Sequence, residues 1–338
     1  MEFMKKLAAI FLLFTAFLLS AGESYSFHLL SDLHLGAADT YHPTRFKGDI
    51  HRAERVMPVF SQMFSDMMKV TPDAKFVIQL GDLIEGNAKG QKEHEKQINE
   101  AVAFLKKSFP CPVYHTMGNH EPYGIGNAEA IKTAFMPEIA GTIGKKQLKF
   151  ANYTLSFKDD LFIFADFRNA AKSHEYILNT LKNLKKKPRY IFIAVHMPLV
   201  TRLTDTKLVD ELSKYNVIVM SGHIHRNLLI HYVKNGNSLT QITVCTKASV
   251  SDVKNQQMKL SSQDKKTFRD FILYQATKRK MLSFMPDYDK DWAPYISSFA
   301  SCYGNGFATL HVSDSGVSLK YHGPGIAAPA VTLPVIKK

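Results

Sequence analysis

Residues 115–124 read His-Thr-Met-Gly-Asn-His-Glu-Pro-Tyr-Gly, and the fold turns on how this stretch is understood. Val113 and Tyr114 bring in the end of an apolar strand. Gly118 then allows a sharp turn, having no Cβ to clash. Asn119, His120 and Glu121 follow, so an amide oxygen, an imidazole and a carboxylate stand side by side. Polar groups at the tip of a buried strand are what a reactive site on a rigid scaffold requires. One tetrapeptide is weak evidence, so the reading depends on whether other strands end the same way.

Four of them do. Tyr25–Ser31 reads as a strand closing on Asp32-Leu-His34, and Lys75–Leu80 as one ending in Gly81-Asp82. Tyr190–Val195 ends at His196, and Val217–Met220 at Ser221-Gly-His-Ile-His225. Between these runs, apolar residues recur at helical spacing over about 50–69, 91–107, 127–136 and 173–186. Phe150–Phe157 and Leu161–Asp166 form a predicted hairpin through Lys158-Asp159-Asp160. Strands alternating with helices predict an α/β protein. Its ligands should lie beyond the carboxyl ends of the strands.

After His225 the pattern predicts strands over 228–233 and 239–245, and a closing hairpin of Phe307–Val312 and Val317–His322. Residues 251–303 break the rhythm with many lysines, a helix-like stretch near 264–281 and Trp292, and are expected to be an insertion or lid. The tail, rich in proline and alanine, reads as extended or loose.

Side chains two apart in a strand share a face, so Asp32 can act with His34, and His223 with His225. Imidazole nitrogen together with carboxylate and amide oxygen suits a borderline divalent ion such as zinc, manganese or iron. Asp32, His34, Asp82, Asn119, His196, His223 and His225 are more donors than one ion needs. Two ions sharing a carboxylate account for them better.

The five motifs, in this order, resemble the calcineurin-like metallophosphoesterase superfamily, whose pattern is DxH, GD, GNH[ED], H and GHxH. The match spans 32–225. The resemblance implies a four-layer αββα sandwich of two mixed sheets with a dinuclear metal site at the strand ends. It places Asp32, His34, Asp82 and His225 on one ion, and Asp82, Asn119, His196 and His223 on the other, with Asp82 bridging. It leaves His120 metal-free, facing the substrate as the catalytic residue. The implied reaction is hydrolysis of a phosphate mono- or diester by in-line attack of a metal-bound hydroxide. Asn119, His120 and Arg168 are candidate substrate contacts. Purple acid phosphatases carry a metal-binding tyrosine where this chain has Glu85, so an iron–tyrosine site is not expected.

Composition bounds the rest. A net charge of +13 favours an anionic partner, such as a nucleotide or a phospholipid headgroup. The lysine-rich run 182–189 ends a helical pattern, where basic residues suit the helix dipole, so no specific nucleic acid is expected. Lys5 and Lys6, the uncharged run Leu7–Leu19 and the small residues Ser20-Ala-Gly22 read as a secretory signal over 1–22. That run is shorter than the ~20 apolar residues a membrane span needs. The expectation is a periplasmic or secreted domain over 23–338 with no transmembrane span. Cys111, Cys245 and Cys302 lack metal or redox spacing, and their pairing stays open. Two other readings compete: a non-catalytic polyanion binder that keeps the fold, and a nuclease-type phosphodiesterase.

Overall fold

The computed structural model describes residues 24–42, 47–166, 169–200, 206–246, 259–262, 290, 292–303, 306–323 and 331–337. Residues 1–22, Arg168 and the helix-like stretch 264–281 lie outside them. Two mixed sheets with flanking helices form the fold, as the family resemblance implies. The first sheet contains β1 (Tyr25–Leu30), β2 (Val77–Gln79), β3 (Val113–His115), β12 (Phe307–Ser313), β13 (Gly316–His322) and β14 (Val331–Lys337), in the order β14-β13-β12-β1-β2-β3. The second contains β4 (Tyr153–Phe157), β5 (Asp160–Ala165), β6 (Ile191–Val195), β7 (Ile218–Ser221), β8 (Asn227–Lys234), β9 (Asn237–Thr243), β10 (Lys259–Ser262) and β11 (Ile296–Tyr303). Its order is β10-β11-β8-β9-β7-β6-β5-β4.

Strands β1, β2 and β3 run parallel, as do β5, β6, β7 and β9, so their carboxyl ends collect the polar loops. Alternation along β5 and β6 explains why these strands read as unbroken apolar runs. Phe162, Phe164, Phe192 and Ala194 belong to the core shared with the first sheet. Leu161, Ile163, Ile191, Ile193 and Val195 belong to a second core, with Ile177 and Leu181 of helix Ala170–Lys182 and Leu208, Val209 and Leu212 of helix Lys207–Ser213. A strand buried on both faces has no solvent side to alternate toward.

Between the sheets, Phe27 stacks on Phe76 with ring centroids 5.0 Å apart and meets Phe162 and Phe192 edge-on at 5.4 and 5.6 Å. Helices Lys47–Val70 and Gln91–Ser108 add Phe60, Met63, Phe64 and Met67, and Ile98, Val102 and Leu105, to the same core. Far from the polar loops, Arg189 ties the sheets together. It grips Asp160 of β5 through Nε and an Nη at 3.1 and 2.7 Å and reaches Asp314 at 2.8 Å. The Tyr25 hydroxyl of β1 donates to the same Asp160 at 2.7 Å.

Three features depart from or add to the sequence expectations. The tail takes the extended of the two forms expected for it, and its pairing is what the sequence did not announce: Val331–Lys337 runs antiparallel to β13. Within 251–303, β10 and β11 are strands of the second sheet. Helix Lys207–Ser213 is too short to announce itself by periodicity. Among the described residues, no helix is long and apolar enough to cross a membrane.

Candidate metal centre

The chain leaves β1 at Leu30 and β2 at Gln79, and the two loops continue side by side. Leu80 N–H donates to Leu30 O at 2.8 Å, Asp32 N–H to Gly81 O at 3.1 Å, His34 N–H to Asp82 O at 3.0 Å and Leu35 N–H to Leu83 O at 2.9 Å. Along this zipper Asp32, His34 and Asp82 adopt left-handed backbone, with φ of 57°, 51° and 53°. His223 and His225 do the same beyond β7, at 70° and 52°. Asp32 and His34, and His223 and His225, therefore do not adjoin through strand alternation, as the sequence reading assumes. All four lie past the strand ends, and the turned backbone aims them inward. Such conformations cost about 1–3 kcal/mol each and persist where surrounding bonds impose them.

Glycines set how closely the loops approach. A Cβ on Gly118 would lie 2.2 Å from Asp82 N and 2.3 Å from Asp82 Oδ1, and one on Gly222 would lie 1.7 Å from Ser31 Oγ. Close approach, rather than an unusual φ, is what Gly118 supplies.

The seven sequence-predicted donors come together as two groups meeting at one carboxylate. In the first, His225 Nε2 is 3.3 Å and His34 Nε2 4.0 Å from Asp32 Oδ1. In the second, Asn119 Oδ1 lies 3.1 Å from His196 Nε2 and 2.8 Å from His223 Nδ1, and those nitrogens are 3.2 Å apart. Asp82 Oδ2 touches both groups, at 3.2 Å from His196 Nε2 and 3.8 Å from His34 Nε2. His120 Nε2 is 4.0 Å from the same oxygen. Arg168, the remaining candidate, lies outside the described residues.

Residues outside the seven donors hold this arrangement. Glu85 is buried, with its carboxylate 3.2 Å from His34 Nδ1, and its main-chain carbonyl accepts from His120 Nδ1 at 2.6 Å. That bond places the ring proton on Nδ1 and turns Nε2 of His120 into the site. Leu80 O accepts from His196 Nδ1 at 2.8 Å with the same effect. Glu121 points away from the donors. Its carboxylate accepts N–H from Gly118 at 2.6 Å, Leu83 at 2.6 Å and Asp82 at 3.1 Å, clasping the two loops together. His94 donates Nε2–H to Glu121 O at 2.7 Å. Ser31 Oγ donates to Asp32 Oδ2 at 2.6 Å, and His223 N–H to the same oxygen at 3.0 Å.

Burial would raise Asp32 and Asp82, but the facing imidazoles outweigh it and hold both carboxyls well below their usual range. His196, which burial would lower, is lifted to about 9 by the Asp82 carboxylate. Burial and the Asp82 charge push Glu121 up to about 7, against three N–H donors that favour its ionised form. Two ionised carboxylates in a buried pocket call for cations, since buried charges are paired or coordinate metal. Atoms bound to one ion at about 2.0–2.2 Å stand roughly 3 Å apart, close to the spacing around Asn119 Oδ1 and Asp82 Oδ2. The residues fit a pair of divalent ions. Asp32, His34 and His225 would hold one and Asp82, His196 and His223 the other, with Asn119 Oδ1 beside the second group, and Asp82 also converges with His34 and His120.

Five other histidines stay outside the centre. His28 bonds Thr309, His231 bonds Thr240, His311 bonds Ser26, and His322 stacks on Phe307. His115 is buried against Phe135.

Comparison with known proteins agrees with this geometry. No curated protein is significantly similar in sequence. Among solved structures, a purple acid phosphatase, PPD1, from yellow lupin (Lupinus luteus) seeds has a TM-score of 0.52 at 14% identity, over 92% of this chain and 53% of that one. GAP50, the anchor in the inner membrane complex of Plasmodium, has a TM-score of 0.52 at 13% identity, over 93% of this chain and 89% of that one. PhoD has a TM-score of 0.52 at 10% identity, over 93% and 70%. The chain spans about half the length of the lupin protein, and likeness at these identities concerns the fold alone. The sequence profile of the calcineurin-like phosphoesterases matches residues 25–227, from the first strand to the loop that carries His223 and His225. The chain thus belongs to the calcineurin-like phosphoesterase family of metal-dependent phosphoric ester hydrolases.

Proposed function

We propose that the chain is an exported hydrolase of a small anionic phosphate mono- or diester, working with two ions drawn from manganese, zinc and iron. The observation that carries this reading is Asp82 Oδ2, which faces His34, His196 and His120 at once and so joins both donor groups. Divalent ions held there would supply Lewis-acid polarisation of the phosphoryl oxygens and a water of lowered pKa. The protein's own part is positioning. Asn119, His196 and His223 keep their donor atoms converged, and the Glu121 clasp fixes the loops that present them. His120 is the group left facing a bound ester. Its Nδ1 proton is committed to Glu85 O, so a protonated Nε2 can neutralise the phosphate and pass its proton to the leaving oxygen.

A nucleotide or phospholipid headgroup matches the positive chain, and Arg168 is retained as a proposed phosphate contact. Export rests on the composition of residues 1–22. The test is turnover of a chromogenic monoester and the matching diester by metal-stripped protein given manganese or zinc, beside Asp82→Asn and His120→Ala. Metal-dependent turnover lost in both variants supports the reading, and the faster ester sets the class. Metal binding without turnover of either ester would favour the polyanion binder, and no metal binding would refute the assignment.

A further inference from the structure

Two of the four large hydrophobic side chains most exposed among the described residues lie on the loop that carries His120: Tyr123, 50% exposed, and Ile125, 56% exposed. Isolated exposed apolar residues need no explanation. These two sit on a loop that cannot fold them away. Tyr123 N–H donates to His120 O at 3.0 Å, and Tyr123 O accepts from Asn87 N–H at 2.5 Å. Asn127 Nδ2 donates to Pro122 O and, at 2.7 Å, to Gly124 O. Gly124, at φ +128°, runs against Ala88, where a Cβ would lie 2.8 Å from the amide nitrogen. The Tyr123 ring stands 6.0 Å from that of His120, inclined at 66°. A fixed loop that holds an aromatic side chain in solvent beside the candidate proton donor, with an exposed aliphatic one two residues on, offers a wall for a ligand.

The position defines which part of a ligand it would meet. If His120 passes its proton to the leaving oxygen, as the hydrolase reading has it, a side chain packed beside His120 meets the alcohol attached to that oxygen. We infer that Tyr123 and Ile125 form a subsite for the alcohol side of the ester, and that this alcohol carries an aromatic group packed on them. The inference rests on the hydrolase reading above. It selects aryl or nucleoside phosphates over esters of small polar alcohols.

The test uses metal-loaded full chain, with Tyr123→Ala, Tyr123→Phe and Ile125→Ser beside the parent. Phenyl phosphate and glycerol 2-phosphate are the substrates, and binding of phenylphosphonate and methylphosphonate is followed by calorimetry. Loss of one apolar contact in a binding site is worth about tenfold or more in discrimination. Tyr123→Ala should lose that factor in kcat/KM for phenyl phosphate and in affinity for phenylphosphonate, with the two small compounds within about twofold of the parent. Tyr123→Phe should keep the preference. Equal loss on both esters, or none, overturns the subsite and leaves the hydrolase reading standing. Tyr123-dependent phenylphosphonate binding without hydrolysis of either ester overturns the hydrolase reading and, with it, the assignment of the subsite to a leaving alcohol. Binding to anionic lipid vesicles that Ile125→Ser abolishes, with the substrate ratio unchanged, would assign the loop to a membrane surface instead and overturn the proposal.

Discussion

Adding one methyl group at Gly118 should disable the centre without replacing a donor residue. The Cβ of Gly118→Ala would lie 2.2 Å from Asp82 N, 2.3 Å from Asp82 Oδ1 and 2.7 Å from Glu121 Oε2. The backbones must separate by about 1.2 Å, the shortfall between 2.2 Å and the 3.4 Å at which ordinary contact begins. No side-chain rotation relieves this, because the nearest atom is main chain. Overpacking of this kind costs about 1–3 kcal/mol. Separation also stretches the bonds from Gly118 N–H and Asp82 N–H to Glu121, each worth about 1.5–3 kcal/mol when the acceptor is charged. A loss of at least ~2 kcal/mol in stability follows after partial relaxation. The effect on turnover should be larger than on folding, since a displacement near 1 Å can cost about 10²-fold. Gly141→Ala is the control: it lies in helix Met136–Thr142, and a Cβ there meets nothing within 4 Å. It should raise stability by about 0.5–1 kcal/mol and leave activity unchanged. The assay is thermal denaturation, calorimetric metal titration and ester turnover on the same preparations. Gly118→Ala protein that binds metal and turns over within threefold of the parent would refute the close-approach argument.

Three further outcomes follow from the same structure. Glu85→Gln removes the carboxylate beside His34 Nδ1 but keeps the carbonyl that holds His120, so metal affinity should fall about 10–100-fold by calorimetry while circular dichroism stays unchanged. Unaltered affinity would show that Glu85 does not orient His34. Arg189→Met strands the buried Asp160 carboxylate at the end of the strands away from the metal donors. It should cost about 3–5 kcal/mol in chemical denaturation, with turnover per folded molecule preserved, and a parallel loss of both would contradict the separation of clasp and centre. Burial lowers His28, His115 and His322 to about 4 from an ordinary 6.5. The unfolded chain then takes up protons first on acidification, so stability present above pH 6.5 should drain away toward pH 4 by up to roughly 3 kcal/mol per imidazole. A melting temperature flat between pH 7 and 5 would count against buried neutral histidines.

The donors were legible in the sequence because each follows an apolar run long enough to be recognised as a strand. Phe192 and Ile193 look to opposite faces, yet both faces are buried, so the run before His196 is unmistakable. The reason offered for pairing Asp32 with His34 did not hold, since strand alternation gives the right neighbours by a route the backbone does not take. The roles of Glu85 and Glu121, as opposed to their presence, were silent for another reason. Their partners are a ring nitrogen far along the chain and main-chain N–H groups, and no residue pattern records where a main-chain N–H will point. His94 belongs with them, as its partner is the carbonyl of Glu121. The tail stayed undecided between extended and loose because Pro334 suits either, and β14 is an edge strand beside β13.

The central claim is that Asp82 is shared between two ions. The direct measurement is equilibrium dialysis of metal-stripped protein against manganese or zinc, with bound metal counted per chain for the parent and for Asp82→Asn. The account predicts two ions in the parent, and at most one, with turnover lost, in the variant. A single ion in the parent, or two retained by an active Asp82→Asn protein, would contradict it.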